Sequence, residues 1–375
     1  MDFRFDRQRW QPYLEQVFQQ LHAMPEPAWQ EYKTTQFLQQ QLASLGYQTI
    51  TFADCTGVVG VLGSGNCTVA LRADMDALCH RTDKGDRLIH SCGHDAHMSM
   101  VLTAAAALRP ILPRLNCRLK IIFQPAEETG QGARRLVEKG LLDDVNFLFG
   151  VHLRPVQELA AGRAAPAIQN GAACLLQGLV KGQSAHGARP HLGINVIEVA
   201  AMLVQLINGL RWDPRQPASV KMTSLQAGQA AGNIIPDLAD FTLDVRAQTN
   251  RHLEQLVQAV EQMSAGLAGI YGAAIKLTQQ AVTPAALVNE QAMAIIARAI
   301  TDTLGEPNLA PPVQTPGAED FHYYTWLRPA VKATMLGLGC RLTPGLHHPD
   351  MVFERQYLPD GAAILARAVC YAAAG

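Results

Sequence analysis

The sequence predicts an α/β protein: a mixed sheet with helices on both faces, interrupted by a smaller inserted domain of βαββαβ order. Three observations carry this expectation. Apolar runs of strand length alternate with helical patterns in the first 170 residues and again after about 282. Between 171 and 281 the rhythm changes to strands of alternating apolar and polar residues around two long helices, one strongly apolar and one amphipathic. A length of 375 residues is enough for two domains, each with its own core.

In chain order, GVVGVLG (57–63), TVALR (68–72), CRLKIIFQ (117–124), NFLFGV (146–151) and VKATMLGLG (331–339) read as buried strands. HMSMVLTAAAALR (97–109), followed by Pro110, and GARRLVEKG (132–140), stopped by Gly140, read as helices. In the middle, GAACLLQGLVKG (171–182) is strand-like and INVIEVAAMLVQLINGL (194–210) is an apolar helix. ASVKMTSLQAG (218–228) and LADFTLDVRAQ (238–248) alternate as strands do. HLEQLVQAVEQMSAGL places apolar residues at 253, 256, 257, 260, 263 and 267, helical spacing with Thr249 or Asn250 as cap. AAIKLTQQA (273–281) closes the unit as a strand. This order is that of a ferredoxin-like domain, so residues 1–170 and 282–375 form one domain and 171–281 an insertion.

Apolar residues make up 48% of the chain and charged residues 17%, which excludes a disordered protein. The formal charge is −1 and no basic run occurs, so neither nucleic acid nor an anionic membrane is expected as partner. No apolar stretch approaches the roughly 18 residues of a membrane span. The N-terminal MDFRFDRQRWQPYLEQVF is charged and amphipathic, unlike a secretory signal. Eight scattered cysteines without a CxxC pair suggest reduced thiols, a cytoplasmic location and no ordinary structural zinc site. The expected substrate is a small molecule.

HSCGHDAHMSM (90–100) crowds strong metal donors into one short stretch. Other candidate ligands follow predicted strands: Asp74 and Asp76 after TVALR, Glu127 and Glu128 after CRLKIIFQPA, His152 after FLFGV, and His347 and His348 after ATMLGLG. Loops at the carboxyl ends of strands converge on one crevice in an open α/β sheet, so these groups can meet. In extended chain Cys92 and His94 point to the same side, and adjacent Glu127 and Glu128 point apart. One glutamate can then bind metal while the other serves as general base towards a water. Taken singly, a thiol near imidazoles is an ordinary buried cysteine and paired glutamates an ordinary first helical turn. Their joint fall at strand ends favours a site.

RADMDAL (72–78), HSCGHDAH (90–97), FQPAEETGQGA (123–133), GVHLRP (150–155), SAHGARP (184–190), GNIIPD (232–237), GAEDF (317–321) and LHHPD (346–350) follow one another along the chain, in an order and spacing similar to those of one known family. In these motifs the chain resembles the dinuclear metallo-amidohydrolases: aminoacylases, hippurate hydrolases and auxin-conjugate hydrolases, within the wider carboxypeptidase/aminoacylase family. The resemblance implies a zinc-peptidase-like catalytic domain and an inserted lid that forms a homodimer. It implies Cys92, His94, Glu128, His152 and His347 as ligands of two divalent cations, zinc or manganese, with cobalt or nickel also suited. Glu127 would be the base, Asp76 would orient the site, and His186 in the lid would help stabilise the oxyanion. Asn233 and Arg246 would contact substrate, although Arg246 can equally pair with Asp244 or Asp240. Cys79 stands where relatives usually have proline, and the stretch from Cys79 to His90 is shorter than theirs. Those departures bear on acyl specificity and leave the ligands intact.

The expected activity is therefore hydrolysis of the amide bond of N-acyl amino acids. A dipeptidase or carboxypeptidase using the same site is the alternative, and a metal-dependent binding protein the non-enzymatic one. A zinc deaminase is disfavoured because HxE with PCxxC is absent.

Overall fold

A computed structural model describes residues 3–82 and 85–374. The chain forms two compact units, one over Met1–Gln169, Leu287–Gln314 and Asp320–Gly375, the other over Asn170–Ala286 and Thr315–Glu319.

The first unit opens with α1 (Arg7–His22), capped by Asp6, whose carboxylate accepts from the Arg9 amide. Leu14, Val17, Phe18 and Leu21 form its buried stripe at helical spacing. Then come α2 (Tyr32–Ser44), β1 (Gln48–Thr51), β2 (Val58–Gly63), β3 (Cys67–Asp74) and a hairpin of β4 (Leu78–Thr82) and β5 (Gly85–Ile89). Residues 83–84, within the stretch that the sequence marks as short, lie outside the described residues. Next are α3 (His94–Leu108), β6 (Cys117–Gln124), α4 (Gly132–Glu138), β7 (Phe147–Pro155) and β8 (Ala164–Ala165).

The second unit contributes β9 (Ala172–Lys181), α5 (Val196–Asn208), β10 (Ala218–Ala227), β11 (Leu238–Ala247), α6 (Asn250–Tyr271) and β12 (Ala274–Thr283). The first unit then resumes with α7 (Glu290–Leu304), α8 (His322–Leu327), β13 (Lys332–Leu342) and α9 (Leu358–Ala373).

In the first unit a seven-stranded sheet runs β1-β2-β6-β3-β7-β13-β8. The central strands β6, β3, β7 and β13 are mutually parallel, and the flanking ones antiparallel. Alternation along β3 sends Val69, Leu71 and Ala73 into the core under α1, α3, α7 and α9. Ala70 joins the opposite core, with α4 and α8. Helix α3 is buried along its whole length, which explains its all-round apolar sequence.

The second unit has a four-stranded antiparallel sheet ordered β10-β11-β9-β12, the ferredoxin-like arrangement. Helices α5 and α6 close its core with Val199, Leu203, Leu256 and Val260 against Leu176, Phe241 and Leu243. No helix among the described residues is long and apolar enough to cross a membrane.

Two local expectations are corrected. The predicted strand ending at 151 continues to Pro155, so His152 lies within β7 and not after it. The helix expected from 97 starts at His94, because left-handed Gly93 (φ +85°) turns the chain immediately before it.

Candidate metal centre

Four parallel strands deliver the donors. Asp74 ends β3 and Asp76 follows it; Glu127 and Glu128 form a turn after β6; His152 comes from β7; His347 lies in the loop after β13. Cys92 and His94 flank the Gly93 turn that opens α3. A Cβ at Gly93 would sit 3.0 Å from a Leu153 methyl, so the turn packs directly on β7.

The donors converge. Cys92 Sγ lies 3.5 Å from His152 Nε2, and His347 Nε2 lies 3.4 Å from Glu128 Oε2. His94 Nε2 is 3.8 Å from Glu128 Oε1 and 4.0 Å from Glu127 Oε2. The neighbouring glutamates thus face one imidazole together; the expectation that they point apart fails, because a tight turn replaces extended chain there. Among the described residues, Cys92–His94–His152 and Cys92–Glu128–His347 each place their ligand atoms within 4.8 Å of one another. The five residues therefore form two donor triplets that share one thiol.

These residues fit divalent cations. His94 Nδ1 faces Asp76 Oδ1 at 3.3 Å, whereas His94 Nε2 and Glu128 Oε1 are buried without a hydrogen-bond partner, although buried polar atoms normally have one. Burial pulls the His94 pKa down, yet the carboxylates of Asp74, Asp76 and Glu128 outweigh it and push the value up to about 10. The pocket thus calls for positive charge, which a cation supplies without a proton. At His152 burial, aided by His97 and Arg154, holds the ring well below its ordinary value and hence neutral. Its Nδ1 lies 2.7 Å from the Leu153 carbonyl, which leaves Nε2 to ligate. A sulfur, nitrogen and oxygen donor set suits a borderline-soft ion.

Asp76 holds the turn by its carboxylate, accepting from the amides of Glu127 (3.1 Å) and Glu128 (3.0 Å). Asp74, a candidate ligand in the sequence, instead supports His97, a residue to which no motif gave a role. The Leu153 amide donates to His97 Nε2 (3.0 Å), so the neutral ring carries its proton on Nδ1, 2.7 Å from Asp74 Oδ1. Asp74 also accepts from buried Arg72 (2.8 Å). HSCGHDAH contains His97 at i+3 from His94, the one signal that could have marked it. His348 is exposed, its Nδ1 accepting from the Asp350 amide (3.1 Å).

The remaining candidates belong to the second unit. His186 pairs with Ile234 across two short strands, and the Asn233 carbonyl accepts from the Gly187 amide (2.8 Å), so His186 and Asn233 are neighbours. The Ala188 amide donates to His186 Nδ1 (3.0 Å), which leaves the proton of a neutral ring on exposed Nε2. Arg246 Nε donates to Asp244 (3.0 Å).

Known proteins resemble this chain throughout. The hippurate hydrolase of Campylobacter jejuni is 30% identical, with 94% of this chain and 95% of that protein covered. Thermostable carboxypeptidase 1 of Saccharolobus solfataricus is also 30% identical, over 88% of this chain and 86% of its own. The solved YXEP protein of Bacillus subtilis, described as a dinuclear metal-binding peptidase, shares the fold. Its TM-score is 0.84 at 24% identity, covering 98% of this chain and 99% of that one. The model of peptidase family M20/M25/M40 matches residues 70–371, a span that contains every donor described above, and the chain is a hydrolase of that family.

Proposed function

We propose that this protein hydrolyses the amide bond of N-acyl amino acids, releasing a carboxylic acid and a free amino acid. The observation that carries this reading is the pair of donor triplets sharing Cys92 beside Glu127. Cys92, His94, Glu128, His152 and His347 would hold two divalent cations, zinc or manganese, with cobalt or nickel also suited. Bound there, the cations supply Lewis acidity towards a carbonyl and lower the pKa of water towards neutrality.

Glu127, which faces His94 without ending a helix or strand, takes the proton from the attacking water and passes it to the leaving amine. Asp76 fixes the glutamate turn. His186 Nε2–H donates to the developing oxyanion. Asn233 contacts the substrate; Arg246 would meet a substrate carboxylate only by leaving Asp244. The hippurate hydrolase relative supports an acyl amino acid substrate, and the carboxypeptidase relative supports the alternative of a peptide substrate at the same site. We further propose a cytoplasmic homodimer formed through the inserted unit.

A panel of matched N-acetyl, N-benzoyl and indole-acyl amino acids and dipeptides, with zinc, manganese or cobalt supplied, separates the two substrate classes. Glu127→Gln keeps the shape but cannot accept the proton. Its turnover should fall at least about a hundredfold with metal content unchanged. Substantial turnover by the metal-replete variant would remove Glu127 from the role of base.

A further inference from the structure

Ala126, the residue before the two glutamates, has φ +54°. Left-handed backbone is strained for a non-glycine residue and persists where surrounding structure over-determines it. Among the described residues the only other non-glycine positions of this kind are Trp29, Arg341 and the ligand candidate His347.

The determinants at Ala126 are visible. Three successive amides each find a carboxylate: Ala126 donates to Glu31 Oε1 (2.8 Å), Glu127 to Asp76 Oδ1 (3.1 Å) and Glu128 to Asp76 Oδ2 (3.0 Å). The Ala126 carbonyl accepts from the Thr129 hydroxyl (3.0 Å) and the Gly132 amide (3.2 Å), closing the turn on its other side.

Glu31 is fully buried, and its second oxygen accepts from the Thr56 hydroxyl. It precedes α2 but makes no side-chain bond to that helix, so capping does not explain it. Beside Thr56, Gly57 donates to Thr35 Oγ1 (2.9 Å), and a Cβ on Gly57 would come within 2.8 Å of the Pro125 ring. The start of α2, the entry to β2 and the exit from β6 thus meet at one carboxylate.

We propose that Glu31 is a positioning residue for the catalytic turn: by bridging Thr56 and the Ala126 amide it holds the left-handed bend from which Glu127 and Glu128 face the cation site. This rests on the roles proposed above for those two glutamates. What matters is reach, since one carboxylate satisfies two donors at fixed places.

Three variants test it. Glu31→Gln keeps the reach: its oxygen can accept from Ala126 while its amide donates to the Thr56 oxygen. Glu31→Asp keeps the charge but falls short by one carbon–carbon bond, about 1.5 Å. Glu31→Ala removes both.

Hydrogen exchange of the 125–132 peptide, metal content after loading with zinc, and kcat and KM are measured on the full chain. Exchange should quicken at least about tenfold in the Asp and Ala variants and stay parental in the Gln variant. Bound zinc should fall below the parental content in the same two variants. Their kcat should drop roughly 10- to 100-fold, the scale of an ångström-sized misplacement, with KM changed less than about threefold.

Folded Asp and Ala variants with parental exchange, zinc content and kcat would overturn the proposal. So would a Gln variant as impaired as the Asp variant, since charge would then matter and reach would not. If the Ala variant does not fold, the Asp and Gln pair carries the test. A parent that neither binds zinc nor turns over any member of the substrate panel would defeat the proposed function instead, and the exchange measurement would still decide the role of Glu31.

Discussion

His322, at the start of α8, is buried in the first unit, and desolvation together with the Arg72 charge lowers its pKa to about 3. The native protein therefore keeps this ring neutral under conditions in which an unfolded chain protonates it near 6.5. The folded value lies below the unfolded one, so this contribution to stability is intact above about pH 6.5 and is lost as pH falls towards 3. Its slope approaches about 1.4 kcal/mol per pH unit over that window. Urea unfolding at pH 7, 6 and 5 should show a shallower acid loss for His322→Gln than for the parent. Equal slopes would mean that His322 does not drive the loss. At this scale the sequence revealed which side chains gather, since HSCGHDAH and the paired glutamates name their own chemistry. It concealed how they are aimed. Cys92 and His94 meet through a left-handed glycine rather than extended chain, and Glu127 and Glu128 turn together at Ala126. The Ala126 bend is held by Glu31, 95 positions away, which no local pattern connects to the turn.

Element by element, legibility followed hydropathy. The apolar runs of β2, β3, β6, β7 and β13 were plain, whereas α1 and α2 are rich in glutamine and arginine or threonine and show only a thin apolar stripe. Strand β9 carries a residue that propensity would mark as a weakness, Gly178. Across the sheet it stands opposite Phe241, and a Cβ on Gly178 would lie 2.0 Å from the tip of that ring. The aromatic side chain therefore covers the glycine and fills the space that another side chain would occupy. Gly178→Ala should raise strand propensity yet destabilise the inserted unit by roughly 1–3 kcal/mol, the usual cost of overpacking. Pairing it with Phe241→Leu should recover part of that loss by freeing the space. A Gly178→Ala protein as stable as the parent in urea, monitored by exchange in β9 and β11, would show that the ring moves aside freely.

For the whole molecule, the change of rhythm near 171 predicts an insertion over 171–281; the compact second unit spans Asn170–Ala286 and also takes Thr315–Glu319, which overlaps the GAEDF motif. Each unit has its own apolar core, and the five proposed ligands all belong to the first. The carboxylates of Asp74, Asp76, Glu127 and Glu128 crowd around His94, so cation binding should stabilise the unit that contains them. Binding to the native state alone adds about 2.7 kcal/mol when free ion is a hundredfold above its dissociation constant. That corresponds to roughly hundredfold slower exchange wherever exchange requires the first unit to open. Chelated protein titrated with zinc or manganese should therefore gain protection in α3 and β7. Peptides of β9 and β11 should exchange at an unchanged rate, because their core gains nothing from the ion. Equal protection in both units would show that they open as one cooperative body, and no protection in α3 or β7 would remove the cations from the five-residue cluster.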